Sequence, residues 1–304
     1  SQLIHKKYGG VVPELASRAH EKNIIPVVEQ ALKEAKIKME DLDGIAFTKG
    51  PGLLGSLLVG TSFAKAAALA LNKPLLDVHH MQAHILAHFI DQKEKNKPNF
   101  PFLCLTVSGG HTQIVLVKSH LEMEVIGKTI DDAAGEAFDK AAKIMGLEYP
   151  GGPLIDKYAI NGDPEKFKFA KPKIADYNFS FSGLKTSFLY FIQKKIKENP
   201  NFISEEMPNL CASLQKTIVD ILIEKIKKAS TNLNINEIAI AGGVSANSAL
   251  RKALKELNKN HGKNVYIPDF EYCTDNAAMI CISGYYLFQN KIFADQSVTC
   301  SARI

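Results

Sequence analysis

Twice along this 304-residue chain a short apolar run ends in closely spaced glycines and gives way to a helical stretch. The first is Ile45 to Gly52, IAFTKGPG, and the second is Ile238 to Asn247, IAIAGGVSAN. A third glycine pair, in Val107 to Thr112, VSGGHT, lies between two strand-like runs instead. Strands that alternate with helices in this way make an α/β protein. Glycine has no Cβ, so backbone N–H groups can close on a phosphate, and a helix start adds a favourable dipole. A tight turn alone also uses glycine, but three such places in one chain favour a nucleotide site. None of the three matches G-x-x-x-x-G-K-[ST] or G-x-G-x-x-G, so the P-loop and dinucleotide fingerprints are excluded.

Apolar periodicity predicts helices over 15–36, 53–71, 133–145, 183–197, 207–229, 246–258 and 276–289. It predicts strands over 43–48, 75–78, 102–107, 113–118, 237–241 and 264–268. The one linker-like stretch is Asp91 to Pro101, DQKEKNKPNFP, charged and holding two prolines. The chain is long enough for two lobes, one expected over 1–98 with 276–304 and the other over 99–275. A net charge of +5 permits an acidic or nucleic-acid partner without requiring one. Residues 52–71 could pass for a membrane span, but Lys65 stands inside them. A mid-bilayer lysine costs about 2.5–3.5 kcal/mol, so a buried helix and no membrane are expected. Cys104, Cys211, Cys273, Cys281 and Cys300 are odd in number and form no CxxC pair. That usage suits core positions in a reducing compartment, and the opening SQLIHKKYGG has no apolar signal core. A cytoplasmic location follows as the expectation.

The stretch VHHMQAHILAH, 78–88, holds four of the nine histidines. Its apolar spacing predicts a helix, where residues four apart share a face. His80/His84 and His84/His88 are each a possible chelating pair. His80 and His88 would lie roughly 12 Å apart along the axis, too far to share one ion. A solvated polar stripe is the alternative, and the spacing leaves both open. The metalloprotease motif H-E-x-x-H needs a Glu to activate water, and Met81 follows His80 here.

Eight blocks, in order across nearly the whole chain, resemble one family. They are YGGVVPELASRAH (8–20), KGPGLLGSLLVG (49–60), VHHMQAH, VSGGHTQ, DDAAGEAFDKAAKIMGLEYPGGP (131–153), FSFSGLKT (179–186), AGGVSAN and CTDNAAM (273–279). The family is bacterial-type TsaD, the tRNA N6-adenosine threonylcarbamoyltransferases, earlier described as O-sialoglycoprotein endopeptidases (Gcp). The resemblance implies a two-lobed actin-like ATPase (ASKHA) fold with the active site in the inter-lobe cleft. Members normally open with a strand hairpin carrying an ETSCDET-like segment. This sequence starts after it, so a fold lacking that hairpin is expected.

The resemblance also implies roles for residues. His80, His84 and Asp275 would bind one divalent ion, Fe²⁺ or alternatively Zn²⁺, with His79 and His88 around it or on the surface. Asp275 also stands where a helix N-cap would, and capping is its plainer role. Thr106, Val107, Ser108, Gly109 and Gly110 would line the acyl-phosphate of threonylcarbamoyl-adenylate, or the phosphates of ATP or AMP, with His111 as a donor. Asp139 and Asp156 would accept from the ribose hydroxyls, Gly152 would let the nucleoside pass, and Asn247 would contact it. Otherwise Asp139 is a solvated helix residue and Gly151-Gly152 a turn. The implied reaction transfers threonylcarbamoyl to N6 of adenosine 37 in tRNAs reading ANN codons, releasing AMP. Implied partners are tRNA with a paralogous TsaB-type subunit and a TsaE-type small ATPase, or a homodimer if mitochondrial. Lys166 to Lys173, KFKFAKPK, reads either as a phosphate-facing surface or as an edge strand with Phe inward. Competing functions are a metalloprotease, a non-catalytic nucleotide-binding scaffold and a sugar-kinase-like phosphotransferase.

Overall fold

The computed structural model of the chain describes residues 12–90 and 97–303, so part of the expected linker lies outside the described residues. In chain order the elements are α1 (Pro13–Ala35), β1 (Ile45–Gly50), α2 (Leu54–Leu71), β2 (Leu75–His79), α3 (His80–Leu86), β3 (Phe102–Val107), β4 (Thr112–Val117) and β5 (Met123–Lys128). They continue with α4 (Ala134–Ile144), α5 (Gly151–Ala159), α6 (Ser182–Glu198), α7 (Phe202–Asn232), β6 (Glu237–Ala241), α8 (Ser248–His261), β7 (Asn264–Tyr266), α9 (Phe270–Cys273) and α10 (Ala277–Gln289). Two compact units result. One runs up to Asp91 and resumes at Asn276, and the other is Gln92–Asp275.

In the first unit β1 and β2 pair in parallel, and α2 makes the crossover between them. Phe47, Ala64, Ala68 and Leu75 form a small core there. Pro13 opens α1, where its missing N–H has no partner to lose. Asn72 closes α2 in the left-handed conformation that asparagine tolerates. By length and composition α2 could cross a membrane. Only one of its faces is buried, through Leu57, Thr61, Ala64 and Ala68, while Leu54, Leu58 and Leu69 are exposed. The expected buried helix is therefore half-buried, and the Lys65 ammonium donates to the Val298 carbonyl at 3.1 Å.

The second unit is built on a five-stranded sheet in the order β5-β4-β3-β6-β7. Its central strand β3 pairs antiparallel with β4 and parallel with β6. All six β3 residues, FLCLTV, are buried, the continuous apolar run of a strand covered on both faces. Phe138 of α4, Phe188 of α6 and Leu214 of α7 pack into the same core. The Asp131 carboxylate ties the loop before α4 to the start of α6. It accepts from the Phe181 amide at 2.8 Å, the Ser180 hydroxyl at 2.5 Å and the Ser182 hydroxyl at 2.7 Å. Burial pushes Asp131 up, but these bonds outweigh it and hold its pKa below the ordinary carboxylate value.

Several expectations change. Helix α7 begins at Phe202 rather than 207, because Pro208 sits inside its second turn instead of ending an element. Elements β5, α5 and α9 had no periodic signal: β5 is a largely exposed edge strand and α9 has only four residues. Residues 168–174 form no strand. Phe169 is buried as the alternation suggested, yet Lys166 and Lys171 pair with Glu206 and Asp220 of α7, each at 2.7 Å. Cys104, Cys211 and Cys273 are buried, whereas Cys281 is exposed, and all five thiols are free.

Candidate functional site

The second unit contains a cavity of 270 Å³ lined by Gly109, Gly135, Phe138, Asp139, Pro150, Gly152, Pro153, Asp156, Gly243, Val244, Ala246 and Asn247. Its size is near the lower end for a small-molecule site, and its walls are mostly apolar with a few polar groups. One wall is the turn after β3, closed by the Ser108 amide on the His111 carbonyl at 2.8 Å and the His111 amide on the Ser108 hydroxyl at 3.1 Å. The start of α4 is joined to that turn by the Gly135 amide on the Ser108 carbonyl at 3.3 Å. Gly242 has φ +88°, and a Cβ there would meet the Val107 carbonyl oxygen at 2.5 Å. The second glycine loop can thus pass the end of β3 only as glycine.

The carboxylates of both acids reach the start of a neighbouring helix. Asp139 Oδ1 accepts from the Gly151 amide at 2.8 Å and the Gly152 amide at 3.3 Å, capping α5. Gly151 and Gly152 are therefore the first turn of a helix and not a loop after one. A Cβ on Gly151 would collide with the Ala142 side chain. Burial raises the pKa of Asp139, with the two amides opposing and Glu136 adding to the rise. Asp156 accepts from Ser248 at the start of α8, from its hydroxyl at 2.7 Å and its amide at 3.0 Å. Asn247 is the N-cap of α8: its oxygen accepts from the Leu250 amide at 3.0 Å and its amide donates to Gln215 at 2.7 Å.

Of the nine residues expected at a nucleotide, Gly109, Asp139, Gly152, Asp156 and Asn247 line this cavity. Thr106, Val107, Ser108 and Gly110 do not. Thr106 and Val107 are wholly buried in β3, where the side chains serve the sheet. The residues missed were Gly135, Phe138, Pro150, Pro153, Gly243, Val244 and Ala246. The small and cyclic residues of DDAAGEAF and YPGGP were the available signal.

In the first unit the histidine stretch is a strand, a short helix and a 3₁₀ turn rather than one helix. His79 ends β2 and caps α3, accepting weakly from the Gln82 amide at 3.4 Å. His88 falls in the 3₁₀ turn Ala87–Phe89, beyond the end of α3. The rings of His80 and His84 stand edge to face, 4.9 Å apart between centroids. The cap of α10 is Asn276, which accepts from the Met279 amide at 2.9 Å. Capping therefore falls to Asn276 rather than to Asp275, which immediately precedes it. With α10 packed on α3, ligand atoms of His80, His84 and Asp275 lie within 4.8 Å of one another. Two ligands on one ion at 2.0–2.2 Å are separated by at most about 4.4 Å, so a small inward rotation suffices. The donor set, two imidazoles and a carboxylate, fits a divalent transition metal with positions left open. The position where a protease would place its Glu holds Met81, which is buried.

Over residues 1–282 the chain matches the family described as TsaD: tRNA N6-adenosine threonylcarbamoyltransferase. A tRNA N6-adenosine threonylcarbamoyltransferase from Riemerella anatipestifer is 61% identical over 303 residues, covering 100% of this chain and 89% of that protein. The one from Christiangramia forsetii is 60% identical with the same coverage. That of Thermosipho africanus is 51% identical over 297 residues, 97% of this chain and 88% of that one. Among solved structures, full-length HypF in its phosphate- and nucleotide-bound form covers 89% of this chain and 42% of its own, with TM-score 0.61 at 14% identity. That likeness is one of fold, and the fold agrees with the two-lobed actin-like class expected from the sequence.

Proposed function

Because the chain belongs to the tRNA N6-adenosine threonylcarbamoyltransferases, it is an acyltransferase that modifies tRNA, and we propose how its residues divide that work. The donor is L-threonylcarbamoyl-adenylate, a mixed anhydride with AMP as leaving group, seated in the cavity of the second unit. Asp139 keeps Oδ1 on the α5 amides and accepts a ribose hydroxyl on Oδ2. Each Asp156 oxygen has a lone pair beyond its bond to Ser248, so it can accept a second hydroxyl. Both ends of the Asn247 side-chain amide are committed, the oxygen to capping and the nitrogen to Gln215, so that residue acts as wall more than as partner. The Ser108–His111 turn faces the anhydride phosphate.

The acceptor is N6 of adenosine 37, in the single-stranded anticodon loop of tRNAs reading ANN codons. Turning an unpaired base into a pocket costs little beside opening a duplex. The new bond joins N6 to the carbamoyl carbon as its bond to the AMP oxygen breaks, and the proton lost from N6 passes to solvent. An exocyclic amine is a weak nucleophile, so rate depends on holding donor and acceptor in line. Fe²⁺, or Zn²⁺ in its place, would be held by His80, His84 and Asp275 and would supply Lewis-acid polarisation of the transferred carbonyl. The compared relatives come from bacteria, which favours work beside a paralogous TsaB-type subunit and a TsaE-type small ATPase over a homodimer. Five free thiols are in keeping with the reducing cytoplasm.

The observation that carries this reading is the convergence of Gly109, Asp139, Gly152, Asp156 and Asn247, spread over nearly 140 positions of the sequence, on one cavity. The test is transfer of radiolabelled threonine from the preformed adenylate to unmodified tRNA, with partner proteins supplied. Asp156→Ala should raise KM for the adenylate about tenfold, the size of one charge-assisted hydrogen bond. An unchanged KM in that variant would remove the adenylate from this cavity.

A further inference from the structure

A helix of four residues has no stability of its own, since its nucleus fixes several dihedrals for one hydrogen bond. Yet α9, Phe270–Cys273, delivers Asp275 two residues beyond its end. One side chain outside it holds it at three points. The guanidinium of Arg251, on α8, lies over the Phe270 ring at 4.0 Å from the centroid. Its Nη2 donates to the Pro268 carbonyl at 2.5 Å, just before the helix, and to the Cys273 Sγ at 3.4 Å, at its last residue. The buried Cys273 thiol in turn reaches the Asp269 carbonyl at 3.3 Å. Entry, face and exit of α9 are therefore all gripped by one planar group.

The same guanidinium has a second attachment. Its Nε donates to the Ser245 carbonyl at 2.8 Å, in the 3₁₀ turn Gly243–Ala246. Val244 and Ala246, on either side of Ser245, line the cavity. A planar cation that stacks by its face while its edge donates in two directions can do this. A lysine ammonium, a point charge on a flexible stem, cannot.

We propose that Arg251 is a positioning residue that makes the cavity wall and the Asp275 segment one mechanical piece, so that metal affinity and nucleotide affinity depend on each other through it. The inference rests on the roles given above to Asp275 and to the cavity. Coupling of this kind is reciprocal: whatever factor the nucleotide adds to metal binding, the metal adds to nucleotide binding.

The test uses the full chain freed of metal with a chelator, titrated with Co²⁺, whose visible d–d bands report its ligands, with and without saturating AMP. Arg251→Lys should weaken Co²⁺ binding about tenfold, the lower end for residues that orient metal ligands. It should also abolish any effect of AMP on that affinity. Phe270→Leu, at a ring 66% exposed and so unable to unfold the core, should weaken Co²⁺ binding in the same direction by a smaller factor. Asp275→Asn serves as the reference. If it weakens Co²⁺ binding while Arg251→Lys and Phe270→Leu leave both affinity and the AMP effect at wild-type values, the positioning role is wrong and the metal site stands. If Asp275→Asn binds Co²⁺ as the wild type does, the metal site itself is wrong, and the inference falls with it. A lower melting temperature in Arg251→Lys with unchanged Co²⁺ affinity would make the residue structural only and overturn the proposal.

Discussion

The two units support their functional side chains with very different amounts of structure. Behind the cavity stand five strands and a continuous core that takes in α4, α6, α7 and α8. Behind His80 and His84 stand only two strands among the described residues, although α3 is itself packed through Met81, Ala83, Ile85 and Leu86, and Leu54, Leu58 and Leu69 of α2 are exposed. The cavity can therefore be preformed by packing alone, because displacing any wall would open voids in a close-packed interior. The histidines stand on a seven-residue helix entered directly from β2, with α10 laid across it. A ligand set of that kind gains more from the ion that joins it than a packed pocket gains from its occupant.

The sharpest way to break this contrast is to cut into each core. Phe188→Ala should cost about 3–5 kcal/mol, because the ring is wholly buried and its neighbours cannot collapse on the void. Phe47→Ala, in the smaller core, should fall at or below the low end of that range. Urea unfolding followed by intrinsic fluorescence and circular dichroism checks both, and equal losses would erase the distinction. Next in size, His84→Ala should lower threonylcarbamoyl transfer at least about a hundredfold, since Lewis-acid stabilisation is worth several kcal/mol. The unfolding of the second unit should not move, and a transition that shifted would mean the histidine supports more than the ion.

Protonation sharpens the comparison further. Burial raises the Asp139 pKa, and a protonated carboxyl loses an acceptor. Nucleotide affinity should fall about tenfold as pH drops from neutrality through that raised value, starting at higher pH than for an ordinary aspartate. Asp139→Asn should bind weakly and show a flat profile, by calorimetry with AMP. The smallest effect is expected at Asp131, whose folded pKa lies below its unfolded value. Its contribution is present above the unfolded value and is lost as pH falls through the folded one. Asp131→Asn should cost about 1 kcal/mol near neutrality, as a lost helix-start acceptor does, and nothing below that window. Acid unfolding curves of the two proteins would show it.

The fold was legible wherever burial imposed a period. Strands β3 and β6 could be placed to the residue from FLCLTV and EIAIA, since a strand covered on both faces must be apolar throughout. Strand β5 could not be placed, because an edge strand with little to bury carries no pattern. Gly151-Gly152 misled in a different way: a pair that usually marks a turn opens a helix here, and Gly151 is required by the contact with Ala142, so packing overrode local preference. Asp275 looked like a cap because caps are commoner than ligands, and only the Asn276 bond to Met279 separates the two roles. The histidine pair was visible as spacing, but its meeting with Asp275 depends on α10 lying on α3, which no spacing reveals. Arg251 carried no signal in the sequence, because its contacts with Ser245, Pro268, Phe270 and Cys273 are made only by the fold.

Two carboxylates anchored by helix starts on the wall of one cavity carry a further consequence. A molecule with a single anionic end meets repulsion if that end approaches these two carboxylates. It is drawn instead toward the backbone amides of the glycine turn. The polarity of entry is thus decided by the field of the empty site, ahead of shape or base recognition, and a ligand loaded backwards is rejected without any contact built to refuse it.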